Sequence, residues 1–368
     1  MENVFYLYPS CITTKGGCRS LIIDTQRGQY KLIPNILHKI IEKYQGFSID
    51  YIKQEEGIEH SDIIDEYFDF LLQNDLIFFS SNTVAFNPQY LKIETPNVVS
   101  NAFIEVNQDF PYDTIKELSD LNCTILHIKF TSVISVEFLK RILSIIDKSR
   151  ISSVQITMTY SSDFERNIEN VLCQSVKLKR ILVIDSPYNK EHSYGLNNKY
   201  FIFYIDKASS KQLQCGCIHP NFFTTSKGMV IESKTRNSCF NKKIFIDRKG
   251  FVRNCPYSHQ IIGDLKKESI VEVVKKENYQ LLCSITKDQI EVCKDCEFSL
   301  ICMDCRVFIK DKNNIYSQPA KCNYNPYIAK WQGQEGWISV EQWRAENTDW
   351  EEKAIQNRTH QQKKPQTV

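Results

Sequence analysis

No run of apolar residues comes near the span of about 20 that a membrane helix needs. Neither sign of charge dominates, since 46 Lys and Arg stand against 44 Asp and Glu for a net charge of +2. A chain so balanced is not built to coat nucleic acid or an anionic membrane, and neither is expected as a partner. Glycine and proline are sparse, 12 and 11 in 368 residues, which excludes collagen-like and linker classes. The opening MENVFYLYPSC has no basic region and no long apolar core of the secretory kind, so a cytoplasmic location with reduced thiols is expected. No HExxH, no glycine-rich phosphate loop and no Ser-His-Asp set stands out.

Present instead are an apolar fraction of 42% with 24% charged residues, enough for two or three folded domains, and 14 cysteines, ten of them after residue 210. In a reducing compartment that density points to metal or redox chemistry rather than disulfides.

The opening part reads as a small mixed module. RSLIIDTQRGQY alternates like two short strands around a Gln-Arg-Gly turn. Ile36, Leu37, Ile40, Ile41 and Tyr44 recur at helical spacing, and a second helix is expected from Ser61 as N-cap, with Ile63, Ile64, Tyr67, Phe68, Leu71 and Leu72 as its buried stripe. LIFFSSNTVAF supplies a closing pair of strands, giving a winged-helix-like module over residues 1–96. From 97 to 210 apolar strands alternate with amphipathic helices: NAFIEVN, YDTIKELSDLN, CTILHIKF, VEFLKRILSIIDK, SSVQITMTY, DFERNIENVLCQSV, RILVIDS and YFIFYID. Alternation of this kind predicts an α/β fold with right-handed βαβ units and a parallel sheet, and about four repeats make a partial (β/α) half-barrel rather than a full one. Residues 211–335 are expected to be irregular and cysteine-rich, and 336–368 an extension ending in a polar tail.

Four cysteines crowd CKDCEFSLICMDC: Cys293 and Cys296 form one CxxC, Cys302 and Cys305 another after five residues, and Cys322 follows alone. Upstream, IFIDRKGFVRNC predicts a hairpin turning at Gly250 and ending in Cys255, with Cys239 before it. A CxxC grips one soft ion or one iron of a cluster, while a distant cysteine closes the coordination. Two such pairs with so short a spacer suit two neighbouring centres better than one zinc ribbon. A pair of zinc ions stapling a loop region is the alternative. Cys283 is expected in the core, and His219, His259 and Asp264 as turn and surface residues.

The run Cys239, Gly250, Cys255, Cys293, Cys296, Cys302, Cys305 and Cys322 resembles the SPASM domain of radical SAM peptide and protein maturases. One departure is the last gap, usually three residues and here Met303 and Asp304 only. The resemblance implies two auxiliary 4Fe-4S clusters: one on Cys239, Cys255 and Cys305 with Cys215 or Cys217 as fourth ligand, the other on Cys293, Cys296, Cys302 and Cys322. The cysteine triplet CxxxCxxC that would bind S-adenosylmethionine through a third cluster is absent, and Cys11 and Cys18 in CITTKGGC are expected to pack and turn. Taken whole, the chain resembles the SPASM-domain maturases of grasp-with-spasm systems. That implies a ribosomally synthesised precursor peptide and an ATP-grasp ligase as partners, and a degenerate radical SAM region. The first module is expected to recognise the leader by strand addition. An active S-adenosylmethionine enzyme with atypical ligands and a zinc-stapled interaction module are the alternatives.

Overall fold

In the computed structural model, residues 3–81, 95–108, 110–172, 175–194, 200–210 and 215–348 are described, the side chains of 168–172, 194 and 210 excepted. The second strand of the closing pair, Cys173 and the polar tail lie outside them.

The first module opens with β1 (Val4–Leu7), β2 (Cys11–Lys15), β3 (Ser20–Asp24) and β4 (Gln29–Ile33), followed by helices α1 (Asn35–Tyr44), α2 (Ile49–Glu56) and α3 (Ser61–Gln73) and strand β5 (Ile77–Ser80). Strands β2, β3 and β4 form an antiparallel sheet in that order, and β5 pairs with β1. Helix α3 differs from expectation at its start. A 3₁₀ turn, Ile58–His60, runs into it, so His60 is the cap and Ser61 is already helical. Its buried stripe is narrower too: Ile64, Phe68 and Leu71 face the core, whereas Ile63 and Leu72 are exposed, as is Ile36 on α1. Three helices around one small sheet bury only the centre of each apolar face.

The second part supplies six strands of a mostly parallel sheet that has nine among the described residues. It contains β6 (Asn101–Val106), α4 (Asp113–Asp120), β7 (Ile125–Phe130), α5 (Val136–Asp147), β8 (Ser153–Thr159), α6 (Ser162–Leu172), β9 (Leu178–Ser186), β10 (Lys190–Tyr194), β11 (Tyr200–Asp206) and the short α7 (Lys207–Ser210). Strands β6, β7, β8, β9 and β11 run parallel in spatial sequence, with β10 antiparallel at the edge. The order is linear, so the sheet is open, and the fold class is the expected mixed α/β one.

Alternate residues of each strand sink into the core: Ile104 and Val106, Leu126 and Ile128, Val154 and Ile156, Ile181 and Val183. They pack against Ile115 and Leu118 of α4 and Leu139, Ile142 and Ile146 of α5. The opposite face carries Phe103, Glu105, His127, Lys129, Gln155 and Phe203, all half-buried. Parallel sheets normally have both faces covered. Here the helices cover one, leaving a polar and aromatic surface on the other among the described residues.

The cysteine-rich part is more regular than its sequence suggests. It holds α8 (Lys227–Thr235), β12 (Lys243–Ile246), β13 (Phe251–Arg253), β14 (Gly263–Asp264), α9 (Ile270–Lys275), α10 (Glu277–Ser284), β15 (Tyr324–Asn325), β16 (Lys330–Trp331) and α11 (Val340–Glu346). The expected hairpin is β12–β13, and β12 also adds parallel to β6, so that it continues the large sheet. Ser269 and Glu272 form a reciprocal capping box at the start of α9, which explains why a six-residue helix holds.

Candidate metal centres

Each thiol is placed by a local device. The Asn237 side chain accepts from the backbone N–H groups of Cys239 and Phe240, both at 3.0 Å, and so fixes the turn that presents Cys239. Asp247 accepts from Lys249 and Phe251 N–H within the β12–β13 turn, and Gly250 takes φ +90°, which leads the chain into Cys255. Gly216, at φ +80°, lets QCGC approach the other cysteine run: a Cβ there would lie 3.0 Å from the Phe308 ring and 3.3 Å from Cys305 Sγ. Phe308 N–H donates to Cys305 Sγ at 3.5 Å. Cys293 opens a 3₁₀ turn, Cys293–Asp295, in which Cys296 N–H donates to Cys293 O at 3.2 Å.

Eight thiols sort into two quartets by which of them feel one another's charge. Cys239 interacts with Cys255 and Cys305, Cys255 with Cys215 and Cys305, and Cys215 with Cys305. Separately, Cys293 interacts with Cys302 and Cys322, and Cys296 with Cys293, Cys302 and Cys322. Cys215 feels the charge of Cys305, and both Cys215 and Cys217 line the cavity beside it. A cavity of about 160 Å³ opens between Cys215, Cys239 and Cys305, with Cys217, His219 and Cys302 also on its wall.

Burial dominates the chemistry of these thiols. It pushes Cys239 and Cys302 up to about 12 and Cys255 up to about 11, and holds Cys293 and Cys296 well above the ordinary thiol range. Burial thus favours the protonated thiol at Cys215, Cys239, Cys255, Cys293, Cys296, Cys302 and Cys322 until a metal centre replaces the protons. Among the described residues no three or more His, Cys, Asp or Glu side chains are gathered tightly enough to hold one metal ion.

Other cysteines stand apart. Cys11 is buried in the core of the first module, Cys18 is exposed at the far end of the β2–β3 hairpin, and Cys283 is buried with its thiol donating to Phe240 O at 3.4 Å. Cys217 is exposed. His219 Nδ1 accepts from Asn221 N–H at 3.3 Å, a turn role.

Sequence reasoning missed what the glycines of CITTKGGC do. Gly17 N–H donates to Asp295 O at 2.7 Å and Cys18 N–H to Pro326 O at 3.2 Å, so the hairpin end is seated on the second quartet's loop. Beside it Arg19 Nε reaches Glu297 Oε1 at 2.8 Å, and Tyr324 donates to the same carboxylate. Leu21 and Ile23 of β3 share a core with Phe298, Ile301 and Tyr324, against which Cys296, Cys302 and Cys322 pack. Missed as well was a buried ion network of Lys287, Asp304 and Arg306 beside Cys302. A charged residue inside CMDC was its only sequence signal.

Residues 239–297 match the SPASM family, described as an iron-sulfur cluster-binding domain. No curated protein sequence matches the chain. Among solved structures it is similar to SuiB of Streptococcus suis. Against SuiB bound to S-adenosylmethionine the identity is 10% with a TM-score of 0.27, covering 85% of this chain and 98% of that one. Against another crystal structure of SuiB the identity is 10% and the TM-score 0.32, covering 86% and 99%. Against SuiB bound to the precursor peptide SuiA the identity is 10% and the TM-score 0.28, covering 86% and 98%. Scores of this size carry no argument about this chain. No helix among the described residues is long and apolar enough to cross a membrane.

Proposed function

We propose that the chain takes part in modifying a ribosomally made precursor peptide and holds two 4Fe-4S clusters, one on Cys215, Cys239, Cys255 and Cys305, the other on Cys293, Cys296, Cys302 and Cys322. The observation that carries this reading is the sorting of eight thiols into two sets of four, in a region matched in part to an iron-sulfur domain. Four cysteines are the protein complement of one such cluster. When bound, such clusters supply one-electron transfer and rigid cross-linking of the loops. The residues here do the placing: Asn237 and Gly216 aim two thiols of the first set, and the hairpin of the first module clamps the loop of the second.

Precursor binding is the role favoured for the rest of the chain. The small sheet ends on β4 among the described residues, and its outer edge offers backbone groups to an extended leader. The open face of the large sheet, with Phe103, His127 and Phe203, offers a surface for the segment to be modified. An ATP-grasp ligase is the proposed partner in the crosslinking chemistry, and a cytoplasmic setting the proposed one. The missing CxxxCxxC gives this chain presentation of the peptide rather than radical generation.

Anaerobic purification with iron, sulfide and zinc analysis tests the first half, since two clusters require about eight irons per chain. Zinc alone would remove it. Precursor binding should fall at least tenfold when prolines replace Tyr30 and Leu32 on β4, because each removes a strand donor. Release of 5′-deoxyadenosine from S-adenosylmethionine and a reductant by this protein alone would contradict the presenting role.

A further inference from the structure

Asp304 and Met303 fill the short gap between Cys302 and Cys305 and point opposite ways: Met303 is exposed, whereas the Asp304 side chain is 1% exposed. Around the Asp304 carboxylate stand three groups. Asn237 Nδ2 donates to its oxygens at 3.1 and 3.2 Å, Lys287 Nζ lies 3.6 Å away, and Arg306 Nε lies 2.7 Å away, close as an ion pair but off the line of a hydrogen bond. Lys287 and Arg306 side chains are 4% and 1% exposed. Two buried cations against one anion leave a net positive charge in the interior. Burying such a charge is costly unless something negative answers it.

Arg306 is held firmly but not completely. Its Nη1 donates to Ser317 O at 2.8 Å and to Ile315 O at 3.1 Å, yet its buried Nη2 has no hydrogen-bond partner. Its charge acts on Cys293 and Cys302, and that of Lys287 on Cys302, in the direction that favours thiolate, while Asp304 opposes them at both thiols and outweighs Arg306 there. An orphaned donor and a net positive charge thus lie buried beside Cys302, two residues from Asp304. Four thiolates around a 4Fe-4S core in its oxidised resting state carry a net negative charge, which is what this pocket lacks.

Resting on the two-cluster reading above, we infer that Arg306 is the electrostatic positioning residue of the second cluster: its unpartnered Nη2 would be available as a donor to that group, and with Lys287 it would raise the reduction potential. Asp304 fixes the guanidinium and moderates its charge. Adding an electron to a centre beside a cation is easier, so removing the cation lowers the potential and removing the anion raises it.

Redox titration followed by electron paramagnetic resonance tests this on the anaerobically purified full chain, with Cys255→Ser as background so that the signal belongs to the second cluster. Arg306→Gln should shift the reduction equilibrium at least tenfold toward the oxidised form, about 59 mV lower for a one-electron couple. Asp304→Asn should shift it in the opposite direction, and Arg306→Lys should keep it within about threefold of the parent. A strut without electrostatic function would move both neutralised variants the same way or neither. That result, with iron content retained, overturns the inference and leaves the cluster reading standing. Where Arg306→Gln loses its iron, Asp304→Asn decides: an unchanged or lowered potential overturns the inference. Absence of iron from the parent protein overturns the cluster reading itself.

Discussion

Gly16 faces Glu297 so closely that a Cβ on it would lie 2.8 Å from the Glu297 amide nitrogen and 2.4 Å from Arg19 O. This is where the first module touches the second quartet's loop, and the neighbours are backbone that cannot swing aside. Gly16→Ala is expected to cost about 1–3 kcal/mol through overpacking. Gly228 in α8 is the control, since a Cβ there meets nothing within 4 Å. Gly228→Ala should be neutral or stabilising by up to about 1 kcal/mol. Urea unfolding of both variants checks the contrast, and equal effects would contradict it.

The Glu297 side chain is fully buried, with Arg19 as its cation at 2.8 Å. Arg19→Met leaves that carboxylate without its cation, for an expected loss of about 3 kcal/mol. Pairing it with Glu297→Gln should recover most of the loss, because the stranded charge is gone. A double variant as unstable as the sum of the two single ones would show that the pair does not act as a unit.

Cys215 is the fourth ligand of the proposed first cluster, and Cys217, one glycine away, is not part of it in that proposal. Both are exposed, but it is Cys215 whose electrostatic surroundings include Cys255 and Cys305. Cys215→Ser should lower iron from about eight to about four per chain, and Cys217→Ser should leave it unchanged. The reverse pattern would reassign the fourth ligand.

His127 lies flat on Phe103, ring centroids 4.3 Å apart, with Nε2 2.8 Å from Thr157 Oγ1. Burial, helped by Lys129, pushes its pKa down to about 4. The ring is neutral in the folded protein where the unfolded chain, with a pKa near 6.5, takes up a proton. Its contribution is therefore complete above pH 6.5 and is lost as pH falls toward 4. Discounted for the ring's partial exposure, the loss between pH 7 and pH 5 is about 1 kcal/mol. His127→Gln should flatten the fall in unfolding free energy over that interval, and an identical slope would contradict the assignment.

Periodicity made the large sheet legible because each strand is half-buried and each helix has one covered face. The proposed ligand sets came from the resemblance to the SPASM domain, since spacing alone pointed only to two neighbouring centres. Illegible were contacts that depend on what lies across the fold: β12 joining β6, Gly16 against Glu297, and the buried charge of Arg306. Ile63 and Leu72 sat at helical spacing yet stayed exposed, since the stripe predicts a face and not how much of it a small module can cover. Ser61 looked like a cap, but the preceding 3₁₀ turn had already begun the helix.

The most direct measurement is metal content of the Cys293→Ser, Cys296→Ser double variant beside the parent, both purified without oxygen. About eight irons in the parent and about four in the variant, with the first cluster's spectrum kept, is the predicted result. Equal iron and equal colour in the two proteins, or zinc in place of iron, would contradict it.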